Sequence, residues 1–229
     1  MSSVPSEQRV AGALENHAWT EQPALPGRTN HRRAGVLVPL RWTASSLQVI
    51  LTERAAHLGR HAGEYAFPGG KPEPEDSSLE ATALREAREE IGLEGARPLG
   101  RLSSLPLYTS DFRLEPFVAA VPAEAQLEAD PNEVSTIVEL DLAELLGRAS
   151  WPAIPWTAGD DRQRLSPCFE LEPGAWREAL VYGGTAHALH ELLAVLAPEF
   201  GRTLPPLRPA SFDWGDVFAS RSSAKGPRS

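Results

Sequence analysis

Cysteine is almost absent from this chain. Cys168 is the only cysteine among 229 residues, so no disulfide can form within the chain. The sequence is therefore compatible with a reducing compartment. A lone cysteine is more often a small buried hydrophobic residue than a nucleophile, and we expect that of Cys168.

Long apolar runs and excess positive charge are also lacking. Residues 1–30 contain no apolar core of a signal peptide, and no apolar run approaches the roughly 20 residues that cross a bilayer. We therefore expect a cytoplasmic protein without membrane contact. Lys and Arg number 22 against 31 Asp and Glu, which gives a net charge of -9. A nucleic-acid surface needs clustered basic residues, so no nucleic-acid partner is expected.

The remaining composition is that of a globular protein. Hydrophobic residues make up 41% and charged residues 23% of the chain, which is ordinary for a folded domain. We divide the chain into a lead-in at residues 1–30, one domain at residues 31–200 and a tail rich in Pro, Arg and Ser at residues 201–229. The last ten or so residues are expected to be disordered.

A helix with recognisable ends follows a glycine-containing loop. Ser77 and Glu80 have the spacing of a capping box, which predicts a helix that begins near Ser78. Gly92 followed by the apolar Leu93 is typical of a left-handed helix end with its hydrophobic contact.

One face of this helix is apolar and the opposite face is acidic. Apolar residues recur at helical spacing at Leu84, Ala87 and Ile91. At about 100° per residue, Glu86, Glu89 and Glu90 fall within about a third of the circumference on the other side. Like charges at such spacings repel by about 0.2–0.5 kcal/mol. A hard divalent cation such as Mg²⁺ would remove that repulsion.

An ordinary solvated face is the alternative interpretation of these carboxylates. Arg85 and Arg88 lie close by, and Arg85 can pair with Glu89 four residues later. The loop Phe67-Pro68-Gly69-Gly70-Lys71 favours a ligand site instead, because its glycines allow the backbone to approach a ligand closely.

The run from Arg85 to Leu93 resembles the second half of the Nudix box, and all nine positions agree. The first half is offset by one residue. Gly70 and Asp76 correspond to the glycine and the first acidic residue of that pattern, but each stands one position too far from Arg85. Strict spacing selects Lys71 and Ser77. One extra loop residue before the helix accounts for both offsets.

The preceding segment is similar to the signature of the coenzyme A pyrophosphatase branch of that family. The matching residues are Ile50-Leu51-Thr52-Glu53-Arg54-Ala55, Gly63 and Phe67-Pro68-Gly69-Gly70. That branch usually has Arg four residues before the position of Gly63, whereas this chain has Gly59 with Arg60 beside it. Arg60 is the candidate replacement, and a lower affinity for phosphate is the alternative.

The resemblance covers roughly residues 33–196 and implies the Nudix α/β/α sandwich with a mixed β-sheet. Composition alone supports only an α/β or α+β class. Hydrophobic patterns predict strands at residues 34–41, 47–52, 99–105, 113–121 and 134–140, and helices at residues 141–148 and 185–196. Residues 149–180, rich in Trp and Pro, lack a clear period and predict a loop.

The resemblance also implies a metal-dependent pyrophosphohydrolase with Mg²⁺ or Mn²⁺ as its cofactor. The cation would neutralise non-bridging phosphate oxygens and activate the attacking water. Glu86 and Glu90 are the predicted principal ligands, and Glu89 is a further ligand or the general base. Glu133, near a predicted turn outside the box, is the alternative base. Arg85 is predicted to orient a ligand carboxylate.

Substrate contacts are predicted around the same helix. Gly69 and Gly70 leave room for backbone contacts, and Arg54, Arg60 and Lys71 are candidates for binding substrate phosphates.

Further polar residues outside the box have weaker support. Glu115 is a lesser candidate for the base. His57 and His61 have a spacing that zinc sites use, but no further Cys or His cluster accompanies them, and a solvated loop is the favoured interpretation.

The substrate that the resemblance implies is a small molecule, coenzyme A or an acyl or oxidised derivative, cut into 3′,5′-ADP and 4′-phosphopantetheine or its derivative. One alternative is another nucleoside diphosphate derivative, such as ADP-ribose, NADH or a dinucleoside polyphosphate. A Nudix domain that binds nucleotides without cleaving them is the second, and loss of box carboxylates would favour it. The habit of the family predicts a homodimer.

Overall fold

The computed structural model describes residues 4–59, 61–157, 163–172, 174, 176 and 179–224. The helices in these residues are α1 (Glu7–Glu15), α2 (Leu79–Ile91), α3 (Leu142–Gly147), α4 (Gly183–Leu196) and α5 (Trp214–Ala224), with a 3-10 helix at Ala197–Phe200. The strands are β1 (Arg32–Trp42), β2 (Leu47–Arg54), β3 (Tyr65–Ala66), β4 (Gly69–Gly70), β5 (Arg97–Arg101), β6 (Leu105–Pro106), β7 (Phe112–Ala120), β8 (Val134–Asp141), β9 (Trp151–Thr157), β10 (Gln163–Pro167), β11 (Phe169–Glu170), β12 (Leu180–Val181) and β13 (Leu207–Pro209).

A mixed sheet forms the centre of the fold. Its main strand order is β3-β2-β1-β7-β5, and β8 also pairs with β2. β1 and β2, both predicted as strands, pair antiparallel, whereas β1 and β7 run parallel. Toward its end β1 pairs with β2, and near its start it pairs with β4. The glycine loop is thereby built into the sheet beside β2.

Helices cover both faces of this sheet. Leu37 on β1 packs with Ala87 and Ile91 of α2, whereas its neighbours Val36 and Val38 belong to the core that includes α1 and α4. This alternation follows from the strand period of two, which directs successive side chains to opposite faces. The predicted α/β/α sandwich with a mixed sheet is confirmed. Among the described helices, none combines the length and the apolar character that crossing a bilayer requires.

The predicted loop at residues 149–180 is wrong in its described part. β9 pairs with β10, and it also pairs in parallel with β13, which comes from the segment that we assigned to the tail. Pro152 and Pro155 within β9 explain the error, because proline lacks an N–H for strand pairing and so favours a loop in sequence reasoning. The helix α5 follows and extends to Ala224, inside the stretch expected to be disordered.

His187 on α4 is partly buried. Its Nε2 lies 3.1 Å from the Ser166 hydroxyl, and burial lowers its pKa to about 4. Burial also lowers the pKa of His190 on the same helix. Cys168, two residues after Ser166, is also buried. Burial raises the pKa of its thiol to about 12, which is consistent with a structural role.

We expect acid to destabilise the wild-type protein more than a His187→Gln variant. In the unfolded chain His187 has a pKa near 6.5 and becomes protonated below that pH. In the folded protein its pKa is about 4, so it stays neutral down to about pH 4. The contribution of neutral His187 to the free energy of unfolding is therefore fully present above about pH 6.5 and is lost as the pH falls toward about 4. The free energy of urea unfolding of the wild type, relative to the variant, should fall by roughly 2 kcal/mol between about pH 7 and about pH 5.

The exposed His31, changed to Gln, serves as the matched control. An equal response of wild type and His187→Gln to pH would contradict the assignment.

Candidate active site

An open cleft of about 480 Å³ lies between α2, the end of β2 and the loop around β4. It collects most of the predicted site residues, together with two that sequence reasoning missed, Pro72 and Glu73. The lining residues are Arg54, Gly69, Gly70, Lys71, Pro72, Glu73, Glu86, Glu90 and Glu133.

Both ends of α2 are fixed by local interactions. Its N-cap is Ser78, whose hydroxyl accepts the Ala81 N–H at 3.1 Å. The predicted cap at Ser77 is therefore wrong by one residue. The Glu73 N–H donates to Asp76 at 2.8 Å in the loop that precedes the helix. The predicted end is confirmed, since Gly92 adopts a left-handed φ of 65°.

The two loop glycines permit close contacts on both sides of the loop. A Cβ on Gly69 would lie 2.6 Å from the carbonyl oxygen of Gly35 and from the side chain of Val36. A Cβ on Gly70 would overlap the carboxylate of Glu86. The loop can pair with β1 and contact the acidic face of α2 only because both positions lack a side chain.

Glu90 is a buried carboxylate whose negative charge has no cation within hydrogen-bond distance among the described residues. Its side chain is 3% exposed, and the guanidinium of Arg54 comes only within 3.9 Å. Burial raises the pKa of Glu90 to about 8 against the opposing effect of Arg54, and the carboxylates of Glu133 and Glu86 raise it further. The Gly69 N–H donates to it and opposes that rise. Burial likewise raises the pKa of Glu86.

Arg85 connects the loop to the acidic helix face. Its Nη2 donates to Glu86 at 3.1 Å and to the Lys71 carbonyl at 3.0 Å. Its Nε donates to Asp76 at 3.1 Å, and its Nη1 donates to Glu89 at 2.8 Å. The side chain of Arg85 thus holds the Glu86 carboxylate in a fixed position beside the loop.

Asp76 faces Arg85. Hydrogen bonds from Arg85, from the Glu73 N–H and from Thr82 lower its pKa to about 2. The residue that corresponds to the first acidic position of the box therefore fixes the arginine, and it does not line the cleft.

Three other predicted residues lie elsewhere. Glu89 pairs with Arg85, is about half exposed and does not line the cleft. Glu115 is buried away from the cleft, where it accepts from Arg33, Arg101 and Ser104. Arg60 lies outside the described residues.

The two histidines of the possible zinc pair make separate contacts. His57 Nε2 lies 3.0 Å from the carbonyl oxygen of Asn132, and His61 Nδ1 lies 2.9 Å from Glu64.

The cleft has the donor chemistry that a hard divalent cation prefers. Among the described residues, no group of three or more His, Cys, Asp or Glu side chains is arranged to hold a metal ion by itself. Mg²⁺ usually takes only one or two protein carboxylates and completes its shell with water and substrate phosphates. Glu86, Glu90 and Glu133 line the same cleft, and burial raises the pKa values of Glu86 and Glu90, so these carboxylates fit such an open site.

Comparison with known proteins identifies the family. Residues 30–158 match the NUDIX domain family. A Photorhabdus laumondii protein, described as an uncharacterized Nudix hydrolase NudL, is 34% identical over 182 residues, which are 77% of this chain and 92% of that protein. A Yersinia pestis protein of the same description is 39% identical over 126 residues, which are 54% of this chain and 62% of that protein.

Solved structures also resemble the chain. The crystal structure of RenU, a Nudix hydrolase from M. smegmatis, is 16% identical with a TM-score of 0.42, over 51% of this chain and 74% of that one. The domain match covers more than half of the chain, and the Photorhabdus relative aligns over most of its own length. On that evidence, the chain belongs to the Nudix hydrolase family.

Proposed function

We propose that this protein is a metal-dependent pyrophosphatase that hydrolyses coenzyme A and its derivatives to 3′,5′-ADP and 4′-phosphopantetheine or its derivative. The observation that carries the proposal is the group of Glu86, Glu90 and Glu133 in one cleft with Arg54 and Lys71. The segments that resemble the coenzyme A branch, at residues 50–55 and 67–70, contribute walls of this same cleft.

Glu86 and Glu90 are the proposed metal ligands. A bound Mg²⁺ or Mn²⁺ would neutralise non-bridging oxygens of the pyrophosphate and activate the attacking water. Arg85 holds Glu86 in place, and the backbone of Gly69 donates to Glu90. Both ligand side chains are therefore positioned before substrate arrives, which lowers the reorganisation needed for reaction.

Glu133 is the proposed general base. It lines the cleft, its charge acts on both Glu86 and Glu90, and its carbonyl accepts the Ala55 N–H at 2.8 Å. That hydrogen bond fixes Glu133 beside the end of β2. Glu89 is the less favoured base, because Arg85 draws it away from the cleft.

Arg54 is the proposed partner of a substrate phosphate. Its Nε is buried and has no hydrogen-bond partner among the described residues. The Arg54 side chain is 28% exposed and lines the cleft, so its terminal N–H groups can donate to a phosphate oxygen there. Lys71 follows the glycine loop and supplies a second cation to the same cleft.

Hydrolysis of another nucleoside diphosphate derivative is the second candidate. ADP-ribose, NADH and dinucleoside polyphosphates share the pyrophosphate that these carboxylates and cations would bind. A domain that only binds nucleotides is less favoured, because Glu86, Glu89 and Glu90 are all present.

We predict that the protein with Mg²⁺ or Mn²⁺ releases 3′,5′-ADP from coenzyme A, as detected by mass spectrometry. Glu133→Gln should lower kcat by about 10²–10⁴-fold, because it removes the base. Glu90→Gln should abolish turnover, because it removes a ligand. The exposed Glu94 beyond α2, changed to Gln, is the matched control and should retain wild-type rates.

Other substrates decide between the candidates. Cleavage of ADP-ribose or NADH without cleavage of coenzyme A would retain pyrophosphate hydrolysis and refute the coenzyme A assignment. Nucleotide binding without cleavage of any substrate would support the non-catalytic domain.

We also predict that Arg85→Lys lowers kcat by about 10- to 100-fold, because a small displacement of a catalytic group has effects of that size. Lysine lacks the planar fork that contacts Asp76, Glu86 and Glu89 together. The Mn²⁺ concentration for half-maximal rate should rise, since Glu86 loses its fixed position. Arg88→Lys, on an exposed position of the same helix, is the control. Equal kinetics of the two variants would refute the positioning role.

A further inference from the structure

Two cations rest on one aromatic ring at the side of the cleft. The Arg32 guanidinium lies 4.4 Å and the Lys71 ammonium 5.5 Å from the centroid of the Phe112 ring. Lys71 also lines the cleft beside Glu86. The surface formed by Arg32, Lys71 and Phe112 is therefore a continuation of the cleft, and we call it the cationic wall.

The backbone fixes the cationic wall relative to the acidic helix. Arg32 and Phe112 are register partners in the parallel pair of β1 and β7, and the Arg32 N–H donates to the Asp111 carbonyl at 3.1 Å. The Lys71 carbonyl accepts from Arg85, which also binds Glu86. One arginine thus connects the wall to the proposed metal ligand.

The charges of the wall lack compensation. The adjacent Arg33 pairs with Glu115 at 2.6 Å and with Glu21 at 2.7 Å. By contrast, the side chains of Arg32 and Lys71 are exposed and have neither an ion pair nor a hydrogen bond within the described part of the chain. In a chain with a net charge of -9, two uncompensated cations on one ring create a local positive potential that attracts anions.

We propose that the cationic wall binds a phosphate monoester on the nucleoside half of the substrate while the pyrophosphate lies against the α2 carboxylates. The inference rests on the proposed function and specifies its substrate class. Nucleoside diphosphate derivatives with an additional ribose phosphate, as in coenzyme A, are preferred over those without it. Arg32 is the specificity residue, because it lies beyond Lys71 and outside the residues that line the catalytic cleft.

The test compares kcat/KM for coenzyme A and for 3′-dephospho-coenzyme A. The ratio of the two values should exceed one in the wild type and should fall about tenfold or more in Arg32→Gln, because hydrogen bonds to charged groups have effects of that order. The exposed Arg208 on β13, changed to Gln, is the matched control and should keep the wild-type ratio. Equal kcat/KM values in the wild type, or an unchanged ratio in Arg32→Gln, would overturn the inference.

A binding measurement separates this inference from the proposed function. Calorimetry with Mn²⁺ compares 3′,5′-ADP with 5′-AMP and requires no cleavage. Tighter binding of 3′,5′-ADP by the wild type, lost in Arg32→Gln, supports the wall even if coenzyme A is not hydrolysed. Equal binding of the two nucleotides by the wild type overturns the wall even if coenzyme A is hydrolysed.

Discussion

Burial of the Glu90 carboxylate, with two further carboxylates close by, is the constraint on which the proposed site depends. Glu90 is almost fully buried, the charges of Glu133 and Glu86 act on it, and Arg54 approaches without a direct hydrogen bond. Buried charge is unfavourable unless it is paired. A divalent cation would turn this unfavourable arrangement into a binding site, and Gly70 allows the loop to lie directly against the Glu86 carboxylate.

The sheet explains how distant segments meet at this site. β1 pairs with β2 toward its end and with β4 near its start. This division brings the glycine loop beside the end of β2, where the Ala55 N–H holds Glu133. Arg85 then fastens the loop to α2. Each wall of the cleft therefore depends on backbone contacts, which suits a site whose ligands must be positioned before substrate binds.

Local patterns allowed the helix and its C-terminal end to be predicted from sequence. The period of the apolar residues and the left-handed Gly92 depend only on nearby residues, and both agree with the structure. The pairing of Glu89 with Arg85 was foreseen only as the alternative to a metal site, and the structure has this pair, with Glu89 outside the cleft lining. The N-cap is Ser78, one residue later than the spacing of Ser77 and Glu80 indicated.

Interactions between distant segments were beyond sequence reasoning. The prolines of β9 favoured a loop in sequence reasoning. Its pairing with β13, which lies in the segment assigned to the tail, was not predictable from local sequence. Arg32 and Phe112 meet only through the parallel register of β1 and β7. The resemblance to the Nudix box predicted where the carboxylates would gather, but it carried no information about this neighbouring wall.

The most direct test of the account is thermal unfolding with and without Mn²⁺, for the wild type and for Glu90→Gln. Above about pH 8, where Glu90 carries its charge in the folded protein, the metal-free variant should unfold at a higher temperature than the metal-free wild type. Mn²⁺ should raise the unfolding temperature of the wild type more than that of the variant. An equal response of both proteins to Mn²⁺ would contradict the proposal that these carboxylates form the metal site.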